Sequence, residues 1–95
     1  MRILSFNTQY RNGEPAPSRQ LRMQACADFI RSHRPDMVCL QEVTPEMWAI
    51  LDEALMPYAA AYCPRVDGTT LGEASPVLCL SNDWNVEREE CFWFS

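Results

Sequence analysis

The feature that most constrains this chain is the stretch DMVCLQE, residues 36–42, in which four apolar residues are followed by an amide and a carboxylate. Unbroken runs of Met, Val, Cys and Leu are typical of strands that are buried in a parallel sheet. A carboxylate at the end of such a strand needs a partner, and ligands of open α/β sheets bind at that end. The partner of Glu42 is therefore the central question.

A β-loop-α-β order precedes that carboxylate. Residues 2–7 form a short β-prone run that ends in Asn7, and a loop rich in turn formers follows. Ser18 is a plausible N-cap of the next helix, and Pro35 ends it, because the residue before a proline disfavours helical geometry. The apolar residues at helical spacing predict its buried face: Leu21, Ala25, Cys26, Phe29 and Ile30.

A second helix is predicted directly after Glu42. Thr44 is its expected N-cap and Pro45 its first residue, where a missing N–H costs nothing. Its wide apolar face comprises Met47, Trp48, Ile50, Leu51 and Leu55. We expect this helix to pack on the sheet.

The second half of the chain changes character. The runs YAAAYC, PVLCLS and VEREECFWFS are separated by turn formers and predict antiparallel strands. Because the sequence stops inside an aromatic strand, we expect residues 1–95 to be the N-terminal fragment of a larger domain. Such a fragment would leave one apolar face of its sheet without a second sheet.

Composition narrows the class of protein. The chain has 47% apolar residues and a net charge of −5, which gives no basic face for nucleic acid. Its five cysteines form no C-x-x-C pair, and its single histidine has no partner at ligand spacing, so a zinc site is disfavoured. No run of 18 apolar residues occurs, which predicts a cytoplasmic protein with no membrane span.

Two segments carry a resemblance to a known family. These segments, which contain the two predicted parallel strands, are MRILSFNTQYRNG and RPDMVCLQEV. They resemble the opening of the endonuclease/exonuclease/phosphatase superfamily, which has the DNase I-like fold. The resemblance implies an α/β fold, the N-terminal half of a four-layer α/β/β/α sandwich, with a mixed sheet and two helices on one face. It also implies that Asn7 and Glu42 are catalytic and metal-binding residues.

The function implied by this resemblance is metal-dependent hydrolysis of phosphodiester or phosphomonoester bonds. The expected cofactor is Mg²⁺, with Mn²⁺ as a second option, and nucleic acid is the first substrate guess. The general base and the other metal ligands would lie in the missing C-terminal half, so the fragment alone should be inactive. His33 is not expected to be that base, because it ends a surface helix.

Other interpretations of the same residues stay open. Glu42 could form a salt bridge or bind the N-terminus of the following helix, and Asn7 could start a turn. Gln41 is expected to brace a loop, and Glu73 to be a solvated loop carboxylate. The alternative for the whole protein is a degenerate binding module that keeps the scaffold without catalysis.

Overall fold

The computed structural model describes residues 1–62, 64, 72–80, 86–90 and 92. Their elements follow in the order β1 (Ile3–Asn7), α1 (Ala16–His33), β2 (Met37–Gln41), α2 (Pro45–Leu55), β3 (Ala59–Ala61) and β4 (Val77–Cys79).

The strands form one mixed sheet in the order β1-β2-β4-β3. β1 and β2 are parallel, with α1 as the crossover, whereas β4 is antiparallel to both β2 and β3. The predicted β-loop-α-β unit is therefore confirmed, as are the first two of the three strands predicted after it.

One face of the sheet is covered by both helices, and we call it the helix-covered face. Val38 and Leu40 alternate on this face of β2, and Leu78 of β4 lies opposite Val38. All three are fully buried in one cluster with the inner residues of the helices, namely Met23, Ala27 and Ile30 of α1 and Met47, Leu51 and Leu55 of α2. The expectation of two helices on one face is confirmed.

The other face, here called the open face, carries the alternate residues of the same strands. Ile3 is 61% exposed and Val77 is 37% exposed, while Met37 and Cys39 are half-buried. Among the residues that the structure describes, the open face is thus less covered than the helix-covered face, and the expectation of a missing second sheet stays a prediction.

Helix α1 begins and faces differently from the sequence prediction. Its N-cap is Pro15, not Ser18, because Pro17 fits the first turn, where a missing N–H leaves no bond unmade. Leu21 is 72% exposed and Phe29 48% exposed, and among the residues predicted to be buried only Ile30 is fully so. The helix carries two apolar stripes, and packing against α2 selects the one that contains Met23, Ala27 and Ile30.

Helix α2 follows the prediction closely. The Thr44 side chain accepts a hydrogen bond from the Met47 N–H at 3.3 Å, and Pro45 is the first helical residue. Of its predicted apolar face, Met47, Leu51 and Leu55 are buried, and Trp48 and Ile50 are half-buried. Local capping and one clear apolar stripe therefore determine this helix.

The last predicted strand, in the run VEREECFWFS at residues 86–95, is not formed in the part that the structure describes. Residues 86–90 are exposed and have no strand pairing, so that part of the prediction is wrong. Arg88 forms a local ion pair with Glu90, whereas the Glu89 carboxylate accepts a hydrogen bond from the Tyr62 N–H at 2.9 Å. Cys91 and residues 93–95 of this run lie outside the described residues.

None of the helices in the described part of the chain is long and apolar enough to cross a membrane. The cytoplasmic location expected from the sequence stays a prediction.

Candidate functional site

The carboxyl ends of β1 and β2 lie side by side at one rim of the sheet. Asn7, the last residue of β1, is in register with Gln41, the last residue of β2, and Glu42 follows directly. Asn7 is exposed and Glu42 is half-buried. The expected placement of both residues at one rim is confirmed, whereas their catalytic and metal-binding roles stay predictions.

Glu42 has an unusual backbone conformation for a glutamate. Its φ of 58° lies in the left-handed region, where a residue with a side chain is strained. This backbone ends the strand alternation, so the Glu42 side chain does not follow Leu40 into the core. No hydrogen bond or ion pair reaches its carboxylate from any of the residues that the structure describes. Neither alternative considered for Glu42 is therefore observed among these residues.

Asn7 starts a turn, as one interpretation of the sequence allowed. Its Oδ1 accepts a hydrogen bond from the Gln9 N–H at 2.6 Å, and Gln9 has a left-handed φ of 61°. A carbonyl oxygen has two lone pairs, so this bond leaves one lone pair and both N–H donors of the amide for another partner. The turn therefore orients the Asn7 side chain without consuming its binding capacity.

Thr8 joins this turn to the end of β2. Its N–H donates to the Gln41 carbonyl at 3.0 Å. Its hydroxyl lies 2.8 Å from the same carbonyl and 3.2 Å from the Glu42 carbonyl. The side chain is buried, so these bonds are shielded from water and connect the backbones of Asn7 and Glu42.

Arg22 and Glu14 support the turn from the side of α1. The Arg22 guanidinium binds the Glu14 carboxylate through Nε at 2.7 Å and Nη2 at 2.8 Å. The Glu14 side chain is only 5% exposed, and this burial by itself raises the pKa of its carboxyl group. The hydrogen bond from Arg22 has the larger effect and lowers the Glu14 pKa from 4.5 to about 2. Glu14 in turn raises the pKa of Arg22. The pair is therefore ionised at neutral pH.

The sequence prediction missed this pair. Arg22 is not among the apolar residues that predict the buried face of α1, and Glu14 lies in the loop before that helix. No periodic pattern connects a loop residue to a helix residue eight positions later. A buried charge pair of this kind can be recognised only once the loop conformation is known.

The remaining candidates have lesser roles at this rim. The Gln41 amide donates to Ser5 Oγ and to the Cys39 carbonyl, both at 3.3 Å. It therefore braces the sheet, whereas the sequence predicted that it would brace a loop. His33 ends α1 in an exposed position, as predicted. Glu73 is half-buried beside the bridge between Val43 and Ala74. Within the described ranges, no three His, Cys, Asp or Glu side chains cluster as metal ligands.

Comparison with known proteins identifies the family. The model of the Endonuclease/Exonuclease/phosphatase family matches residues 4–90, which include both strand ends and both helices. The chain belongs to this family. The family match includes Asn7 and Glu42, and the fold resembles solved structures of the endonuclease/exonuclease/phosphatase type.

Three solved structures illustrate the similarity. An endonuclease/exonuclease/phosphatase from Bacteroides vulgatus is 32% identical over 82% of this chain, with a TM-score of 0.72. A mannosyl-6-phosphatase from Bacteroides thetaiotaomicron is 24% identical over 83% of the chain, with a TM-score of 0.73. TDP2 from Caenorhabditis elegans is 24% identical over 90%, with a TM-score of 0.64. The last two comparisons support the fold alone.

The match is partial on the side of the relatives. The chain covers 30%, 31% and 24% of these three structures. No curated protein sequence matches the chain significantly. The activity of the whole protein is therefore a matter for proposal.

Proposed function

We propose that the protein containing this chain hydrolyses phosphate esters with the help of a divalent cation, Mg²⁺ or alternatively Mn²⁺, held by Glu42 and Asn7. The observation that carries the proposal is the Glu42 carboxylate, which is half-buried at the carboxyl rim of β2 and has no ionic partner in the described part of the chain. Membership of a family of endonucleases, exonucleases and phosphatases supports phosphoester hydrolysis in general.

The chemistry of the two side chains fits a hard cation. Mg²⁺ is usually bound by one or two carboxylates and completes its coordination with water. Glu42 supplies a carboxylate, and the Asn7 Oδ1 retains a lone pair beside the one used by Gln9. Both proposed ligands are hard oxygen donors, which favours magnesium or manganese over a softer metal ion.

Each residue has a distinct part in the proposed reaction. When bound, the cation neutralises charge on the phosphoryl oxygens and activates water. Glu42 retains the cation through its negative charge, and Asn7 orients a ligand or a phosphate oxygen through an amide that adds no charge. The general base and the other ligands are proposed to lie outside residues 1–95, so this chain alone should show no hydrolysis.

The substrate class is the least constrained part of the proposal. One relative is described as a mannosyl-6-phosphatase and another as TDP2, and both are too distant to indicate a shared substrate. Nucleic acid is the first class to test. The net charge of −5 does not favour it, so cationic groups for a nucleic acid would have to come from elsewhere in the protein.

The test compares Glu42→Gln with Glu46→Gln in the full gene product. Glu46 is an exposed carboxylate in the first turn of α2, so its substitution removes the same charge four residues away. Hydrolysis of a DNA phosphodiester and of a sugar phosphate is measured over a range of Mg²⁺ concentrations. We expect Glu42→Gln to lower kcat/KM about 100-fold or more and to raise the Mg²⁺ requirement, because a neutral amide holds the cation weakly.

Three outcomes would contradict the proposal. Unchanged turnover of Glu42→Gln at low Mg²⁺ would exclude Glu42 as a metal ligand. A folded wild-type protein that hydrolyses neither substrate, with or without Mn²⁺, would favour a non-catalytic binding module. Equal losses in Glu42→Gln and Glu46→Gln would indicate a general charge effect at this end of the sheet.

A further inference from the structure

The Arg22 side chain makes more hydrogen bonds than an ion pair requires. Besides its two bonds to Glu14, its Nη1 donates to the Thr8 carbonyl at 2.7 Å and its Nη2 to the Gln9 carbonyl at 2.9 Å. The side chain is only 19% exposed. Four acceptors are thus satisfied by one planar group, which needs the five fixed donors of a guanidinium.

The two carbonyls belong to the turn that follows β1 and begins with Asn7, one of the two candidate ligands. Gln9, whose carbonyl Arg22 binds, donates its N–H to the Asn7 side chain. Thr8, whose carbonyl Arg22 also binds, contacts the Gln41 and Glu42 carbonyls through its hydroxyl. A single continuous set of hydrogen bonds therefore runs from Arg22 to the Asn7 amide and to the Glu42 backbone.

The conformation of this turn needs such support. Gln9 and Glu42 both have left-handed φ angles, which residues with side chains adopt only where their surroundings hold them. Arg22 binds on the side of α1 and reaches the turn from a rigid element. Glu14 fixes the guanidinium plane through two bonds, so the direction of the two donors to the turn is set as well.

We propose that Arg22, oriented by Glu14, is a positioning residue that holds the Asn7 amide and the Glu42 backbone in the geometry needed for cation binding. The inference rests on the proposed function of Asn7 and Glu42. Arg22 itself touches neither substrate nor cation in this role. Its effect passes through the turn, so the residue should change metal use while the substrate-binding surfaces stay intact.

The experiment uses the full gene product with Arg22→Lys, Glu14→Gln and the control Arg31→Lys. Arg31 lies on the same helix, is 52% exposed and faces Asp28 at 3.6 Å, so the control makes the same exchange away from the turn. NMR with selectively labelled asparagine reports the order parameter of the Asn7 side-chain amide, which Asn7→Asp identifies. Added Mn²⁺ tests binding through the broadening of that signal, and hydrolysis gives kcat and KM.

We expect Arg22→Lys to fold, to lower the Asn7 order parameter below about 0.6 and to weaken the Mn²⁺ broadening. The kcat should fall about 10- to 100-fold with little change in KM, as for other residues that orient metal ligands. Glu14→Gln should change the same quantities less, because Arg22 can still donate hydrogen bonds to the carbonyls of Thr8 and Gln9. Arg31→Lys should match the wild type.

An Asn7 amide that stays as ordered in both variants as in the wild type would overturn the positioning role. A lowered melting temperature with unchanged Mn²⁺ broadening and kcat would also overturn it, since Arg22 would then be purely structural. If Arg22→Lys does not fold, Glu14→Gln decides by the same measurements. A wild type that neither binds Mn²⁺ nor hydrolyses esters would refute the proposed function, and the Asn7 order parameter would separately decide whether Arg22 orders that amide.

Discussion

The two faces of the sheet are built from the same strands, yet they differ sharply in exposure. On the helix-covered face, Val38, Leu40 and Leu78 are fully buried, whereas on the open face Ile3 is 61% exposed and Val77 is 37% exposed. All five are β-branched or aliphatic residues. Residue type therefore does not distinguish the faces, and only the packing of the two helices does.

The ion pairs of α1 repeat the same contrast. In the pair formed by Arg22 and Glu14, the side chains are 19% and 5% exposed, whereas Arg31 and Asp28 are 52% and 76% exposed. Shielding from water strengthens the first pair and solvent weakens the second. The predictions below test how far burial decides the energetic importance of similar residues.

The largest effect is expected from Leu78→Ala compared with Val77→Ala. These neighbours in β4 face opposite sides of the sheet. Leu78→Ala should lower the free energy of unfolding by about 2–5 kcal/mol, because it leaves a cavity in the core. Val77→Ala should cost less than about 1 kcal/mol. Urea unfolding curves of both variants measure this, and equal losses would mean that the open face is as well packed as the covered one.

The next effect is expected at acid pH, where the ion pair between Arg22 and Glu14 should contribute less to the free energy of unfolding. The folded pKa of Glu14 is about 2 against an ordinary value of 4.5, so its contribution to stability is present above pH 4.5 and lost as the pH falls towards 2. The difference in unfolding free energy between wild type and Glu14→Gln should therefore shrink over that interval. Asp28→Asn serves as the control for removal of an exposed carboxylate from the same helix. A constant difference for Glu14→Gln would refute the shift.

The two helix N-termini offer a third pair of variants. Thr44→Ala should cost about 0.5–2 kcal/mol of stability, since Thr44 is buried and caps α2 through its hydroxyl. Ser18→Ala should cost less, because Ser18 lies inside α1 and loses only its bond to Glu14 at 3.1 Å. Thermal unfolding monitored by circular dichroism compares them. A larger loss of stability for Ser18→Ala than for Thr44→Ala would indicate that Ser18 caps α1 after all.

The smallest effect is expected for Arg31→Gln. Its ion pair with Asp28 is exposed and 3.6 Å long, so we expect a change in unfolding free energy within about 0.5 kcal/mol. Added salt should not alter this difference measurably. A loss comparable to that of Leu78→Ala would show that exposure is a poor guide to energetic importance in this helix.

Local patterns in the sequence determined the architecture around Glu42. The apolar run that forms β2, the Thr44-Pro45 start of α2 and the crossover that makes β1 and β2 parallel were all predictable. Each rests on interactions between residues close in sequence or on a rule of chain connection. For the same reason, the approach of Asn7 to the end of β2 could be predicted, since parallel strands end at the same rim.

Tertiary structure decided which face of α1 is buried, because two apolar stripes satisfy the same helical spacing and only the neighbouring α2 selects between them. It also decided the left-handed backbone of Glu42 and Gln9, which no residue preference at those positions would suggest. The bonds of Arg22 to Glu14 and to the turn bring together a helix, a loop and a strand end. Such bonds depend on distances in space between segments that the periodicity of the sequence treats separately.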